Sequence, residues 1–233
     1  MMNYPPLTPS PTSRETKLGL IWLAATTLVL PSLLSEVNRL LPHPLSLGML
    51  NFVFYLVNFC VTAAIFHHFL RSAAAAALDR LFPVIWYAVL AYLGNRALTE
   101  IVTVLIYNIS PEFGNVNDAS IFAMLEEDLI PLAMGTVFLV PLAEETMYRG
   151  LVFRKLFDRN PFAAYAISMA AFAAIHVMGY IGSYPPLQLL LCFLQYLPAG
   201  YCLCWCYRQT GTIVSPILMH TLVNATSIYY YVR

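Results

Sequence analysis

Charge is what this 233-residue sequence has least of: Asp, Glu, Lys and Arg make up 10% of it, against 60% hydrophobic residues. Soluble domains carry roughly 25% charged and 45–50% apolar residues, so the composition excludes an ordinary soluble domain and indicates an integral membrane protein. The 12 basic and 12 acidic residues cancel. No basic stripe or aromatic–basic platform occurs, which removes nucleic acid from the partners. The zinc-protease signature HExxH is absent, as is any CxxC or zinc-ribbon spacing. The five cysteines (Cys60, Cys192, Cys202, Cys204 and Cys206) all fall in apolar stretches and read as small packing residues. There is no repeat at fixed period and no inverted pair of interrupted segments, which argues against a secondary transporter.

What is present is a series of long apolar runs. A helix needs about 20 such residues to cross the hydrocarbon, and seven segments qualify: about 18–35, 47–70, 82–107, 128–148, 162–180, 187–206 and 212–231. The expected fold is an all-α, polytopic membrane helical bundle of about seven transmembrane helices. Residues 1–17, rich in Pro, Ser and Thr, read as a disordered cytoplasmic tail. The N-terminal transmembrane helices follow over 18–119 and a C-terminal core over 120–233. Arg14/Lys17, Arg71/Arg80, Arg154/Lys155/Arg159 and Arg208 fall on one side of such a bundle. The positive-inside rule makes that side, and the N-terminus, cytoplasmic. The loop at about 108–127 has no Lys or Arg and falls outside. Asn95, Arg96 and Glu100 interrupt the third span and are expected to pair structurally with one another. His43, His67 and His68 sit near span ends and read as interfacial.

Three polar pairs at helical spacing lie in the oily second half: Glu145/Arg149 with Glu144 beside them, Phe172/His176, and His220/Asn224. Ionisable groups at such depth are costly and mark functional sites by default. Asn160-Pro161 signals a turn, so the flanking segments read as an antiparallel hairpin. Glu144 is 14 residues before residue 158, and His176 is 15 after Pro161. At 1.5 Å per residue both stand about 21–23 Å from the turn, level enough to share one water. Glu145 precedes Arg149 by four residues, the favourable order for a helical ion pair. Glu145 and Arg149 therefore read as structural, with Phe172 shaping the pocket, and Glu144 is left to face a cavity as general base. His220 and Asn224, one turn apart, can present donors to an oxyanion. Together these residues predict a peptide hydrolase inside the membrane.

The motifs Glu144-Glu145-Thr-Met-Tyr-Arg149, Phe172-Ala-Ala-Ile-His176 and His220-Thr-Leu-Val-Asn224 stand in the order EExxxR, FxxxH, HxxxN. In this the chain resembles the CPBP family of intramembrane proteases, also called the Abi or type II CAAX prenyl protease family, over about residues 120–231. The resemblance implies a CPBP-like helical core with a cavity open to the cytosol. It implies that Glu144 and His176 activate water while His220 and Asn224 support the oxyanion. It also implies prenylated or other membrane-associated peptides as substrates and lipid as the surroundings; the short chain and the absence of eukaryotic targeting features favour a bacterial inner membrane. No cofactor is expected, although Glu144, His176 and His220 leave zinc open as a rival. A non-catalytic immunity or scaffold protein of the same fold is the alternative reading, with a transporter behind it.

Overall fold

A computed structural model describes residues 4–233. Among the described residues the chain is helical from Ser13 to Val232, apart from the connecting turns and loops and an isolated bridge between Ile181 and Tyr184. Its elements are α1 (Ser13–Leu28), α2 (Leu30–Arg39), α3 (Leu47–Ile65), α4 (His67–Leu78), α5 (Leu81–Ile109), α6 (Val116–Met134), α7 (Val140–Glu145), α8 (Arg154–Phe157), α9 (Pro161–Met178), α10 (Pro186–Thr210) and α11 (Val214–Val232). Two π-helical stretches, Gly135–Leu139 and Thr146–Phe153, join α6 to α7 and α7 to α8.

Four helices (α3, α5, α9 and α10) are long and apolar enough to cross a membrane, and α1 with α2 makes a fifth if that pair, bent by 50°, is one span. The segment at 128–148 is not one straight helix. Asp128 leaves helical geometry at φ −134°, Pro131 follows, and both π stretches fall nearby. The protein is thus an all-α membrane bundle whose site-bearing segment is its most irregular part. Large apolar side chains such as Phe82, Trp86, Leu93 and Ile101 lie exposed along α5, the expected surface of a helix against lipid.

Local chemistry sets the helix ends. Asn160 accepts from Ala163 N and Pro161 opens α9, an arrangement that uses proline where its missing N–H costs nothing. Gly211, at φ +77°, closes α10 in the left-handed conformation that glycine adopts freely. Thr12 and Glu15 form a capping box at α1. Glu15 Oε1 also accepts from Phe69 N at 2.9 Å, so one carboxylate serves the starts of α1 and α4.

The expectation of a disordered tail over 1–17 is corrected, residues 1–3 lying outside the described residues. Thr8 N donates to Gly211 O at 2.7 Å, Thr8 O accepts from Arg154 Nε at 2.7 Å, and Pro5 O accepts from Arg208 Nη1 at 2.9 Å. Polar and proline-rich composition signals disorder only when the backbone finds no partners, and here two arginines and a helix end supply them. The structural pairing expected of Asn95, Arg96 and Glu100 is also corrected. Asn95 is buried and accepts from Thr99 Oγ1, whereas Arg96 and Glu100 are exposed and form no ion pair.

Candidate active site

The hairpin read from the sequence is present. Ser168 Oγ donates to Tyr148 O at 2.9 Å, joining two residues each ten from position 158 across the turn at 158–160. The π stretch at Thr146–Phe153 winds wider than an α-helix and so rises less per residue. The straight-helix rise assumed for this leg therefore does not apply to it.

Arg149 and Glu145 lie at the centre of the bundle, both with no exposed side-chain surface. Arg149 Nη1 donates to Glu145 Oε1 at 3.0 Å and Nη2 to Gly200 O at 3.3 Å. Gly200 lets α10 lie close against α9, since a Cβ there would stand 3.0 Å from Met169 Cα. The guanidinium also lies 4.4 Å from the centre of the Phe172 ring, a cation–π contact. Phe172 meets His176 at 4.7 Å, His220 at 5.7 Å and Tyr148 at 6.0 Å between ring centres. It separates the two imidazoles and holds both rings.

Hydrogen bonds select the tautomers. His176 Nδ1 lies 2.8 Å from Phe172 O, and a carbonyl can only accept. The proton therefore sits on Nδ1 and Nε2 is left as a base. His176 also stacks on Tyr196 at 4.2 Å, whose hydroxyl donates to Asp118 Oδ1 at 2.8 Å and accepts from Asn117 Nδ2 at 3.0 Å. His220 Nδ1 donates to Glu145 Oε1 at 2.9 Å. Its Nε2 can then donate only when the ring is doubly protonated, with Glu145 as counter-charge.

Asn224 Nδ2 donates to Thr136 O at 2.7 Å, and the reason lies in the π stretch beside it. Val140 N bonds back five residues to Gly135 O, so the next link of that ladder would run from residue 141 to Thr136 O. Residue 141 is proline and has no N–H. Asn224 fills the vacant acceptor, tying α11 to the bend before α7 and committing one of its two amide N–H groups.

Glu144 differs from Glu145 in having no partner: its Oε2 is buried and makes no hydrogen bond to the protein. Glu144, His176, His220 and Asn224 all line one cavity of about 630 Å³, together with Tyr148, Tyr196, Thr136 and Arg96. His220 is within electrostatic reach of both Glu144 and His176. The structure thus brings all four sequence-selected residues to one cavity, with Glu145, Arg149 and Phe172 buried behind its wall. No group of three His, Cys, Asp or Glu side chains converges for a metal among the described residues; the Nδ1 contacts of His176 and His220 leave both Nε2 atoms for other partners. Tyr196 and Thr136 escaped the sequence reading. Tyr196 had no spacing to mark it, whereas Thr136 could have been found from Pro141 five residues on.

These features define a polytopic helical membrane protein with a polar, carboxylate- and imidazole-lined site between its helices. Residues 126–226 match the model of a family described as type II CAAX prenyl endopeptidase Rce1-like, and Glu144, His176, His220 and Asn224 all lie within the matched stretch. No curated protein and no solved structure gives a match.

Proposed function

We propose that this protein is a glutamate-dependent intramembrane endopeptidase acting on membrane-associated or prenylated peptides. The observation that carries the reading is the unpartnered Glu144 carboxylate on the cavity that also receives His176, His220 and Asn224. Glu144 and His176 Nε2 are both acceptors, so a water between them donates one proton to each and turns its lone pair toward the substrate carbonyl. Attack forms the new C–O bond as the water proton passes to Glu144. The oxyanion that develops takes hydrogen bonds from Nε2 of doubly protonated His220 and from the second amide N–H of Asn224. Glu144 then gives its proton to the leaving nitrogen as the C–N bond breaks, returning the carboxylate to its starting form. The distribution of Lys and Arg supports a cytoplasmic N-terminus by the positive-inside rule, and a bacterial inner membrane is the proposed setting.

The test is cleavage of a farnesylated, fluorophore-labelled peptide by purified protein in detergent, followed by capture of membrane peptides that accumulate on the inactive Glu144→Gln variant. Accumulation of no peptide, with no cleavage by the wild type, would favour the scaffold alternative.

Two further outcomes follow from this site. Chelation with 1,10-phenanthroline should leave the rate unchanged; loss of activity restored by added zinc would overturn the metal-free mechanism. Tyr196 acts as a positioning residue for His176. Tyr196→Ala removes the stacking ring and should lower kcat by about tenfold with little change in KM, a modest share of the usual acid–base contribution. Tyr196→Phe keeps the ring and should retain most of the rate. Equal activity in both variants would show that the stack does not orient the imidazole.

A further inference from the structure

Arg96 is a charged residue of the cavity that the hydrolytic chemistry does not use. It stands 15 residues from Leu81 and 13 from Ile109 on α5, about 20–22 Å from either helix end. That is mid-span, where an unpaired guanidinium is costly unless it faces a polar cavity. Arg96 does line the cavity, beside Asn95 and Thr99. Among the described residues it makes no ion pair. Glu100, one turn along the same helix, does not reach it, and neither do Glu144 or Asp118 across the cavity. Asp118 is engaged instead by the Tyr196 hydroxyl.

The neighbouring contacts fix where Arg96 stands relative to the site. Four residues before it, the Tyr92 hydroxyl donates to Thr226 Oγ1 at 3.3 Å, two residues beyond Asn224. Seven residues after it, Thr103 Oγ1 accepts from Gln195 Nε2 at 2.9 Å, next to the Tyr196 that stacks on His176. Arg96 is therefore bracketed between the Asn224 and His176 sides of the site, on a helix outside the family match at 126–226.

We propose that Arg96 is a substrate-specificity residue that binds the free C-terminal carboxylate of the peptide. This deepens the peptidase reading and rests on it. A peptide laid across the cavity presents its scissile carbonyl to Glu144 and its terminal carboxylate to the guanidinium, which matches carboxylate geometry with two parallel donors. The chain end supplies the anion that Arg96 lacks, and cleavage is restricted to bonds near a free C-terminus.

The test uses a fluorophore-labelled farnesyl-Cys-Val-Ile-Ser peptide, prepared as free acid and as carboxamide. Binding is measured on the Glu144→Gln protein and on Glu144→Gln/Arg96→Gln, so that turnover is not needed; cleavage is measured on wild type and Arg96→Gln. The free acid should bind the Glu144→Gln protein about tenfold or more tightly than the carboxamide, in keeping with a charge-assisted hydrogen bond. That preference should fall to about one when Arg96 is replaced. Arg96→Lys should restore part of it, since it keeps charge but not the bidentate fork. Equal binding of the two peptides, an acid preference that survives Arg96→Gln, or binding of neither peptide overturns the proposal. An Arg96-dependent acid preference in a wild type that cleaves neither peptide would leave the subsite standing and remove the peptidase reading. Cleavage of both peptides alike, lost in Glu144→Gln, would do the reverse.

Discussion

Glu144→Gln is expected to lower the cleavage rate by about 10²–10⁴-fold, the range that a positioned general base contributes, while the protein melts within a few degrees of wild type. The substitution keeps shape and volume and removes only the ability to take a proton. The fold should tolerate it because the Glu144 Oε2 makes no hydrogen bond that the amide would break. Glu144→Asp tests position separately from chemistry. It retains the carboxylate but withdraws it by one methylene, so activity should fall yet stay above that of Gln. Full activity in the Glu144→Gln protein would refute the mechanism. A large loss of thermal stability in that variant would instead assign Glu144 a structural role and favour the scaffold reading.

Much of the site could be read in the sequence because helical spacing converts directly into shared faces. Four-residue separations predicted the Glu145–Arg149 ion pair, and Asn160-Pro161 predicted the turn that makes neighbours of Tyr148 and Ser168. The distinction between adjacent glutamates was also legible: residues about 100° apart on a helix do not play the same part, and only Glu145 forms the ion pair with Arg149. What was not legible depended on irregular backbone. Nothing in hydropathy announces that 135–139 and 146–153 wind as π-helix. That winding takes this leg out of straight-helix geometry and opens the Thr136 carbonyl which Asn224 then satisfies. The tautomers of His176 and His220 were equally hidden, because each is set by an acceptor whose position only the fold reveals. The docked N-terminus escaped for a related reason: composition reports on burial of apolar surface, not on arginines elsewhere that can bind a backbone carbonyl.

Breaking the Glu145–Arg149 pair should cost far more stability than any other change near the site. Arg149→Ala and Glu145→Ala each strand a charge in the bundle interior, where removal of one partner costs about 3–5 kcal/mol, against a total stability of about 5–15 kcal/mol for a typical domain. The two are not equivalent. Arg149→Ala leaves Glu145 with the His220 imidazole at 2.9 Å, so a protonated ring can still neutralise it. Glu145→Ala leaves Arg149 with no carboxylate, only neutral neighbours such as the Gly200 carbonyl and the Phe172 face, and frees His220 as well. Glu145→Ala should therefore melt lower, and both should lose activity through misplacement of Phe172 and the imidazoles. The pair is itself imperfectly satisfied, since Arg149 Nε and Glu145 Oε2 have no partner. Replacing both residues by apolar ones of similar size, as in Glu145→Leu/Arg149→Met, should consequently recover much of the thermal stability while restoring no cleavage. Thermal unfolding of the two single variants and the double variant in one detergent decides the matter. Single variants that melt with the wild type would mean the ion pair does not hold these helices. A double variant less stable than both singles would mean that charge itself, not filled volume, is what the centre of the bundle requires.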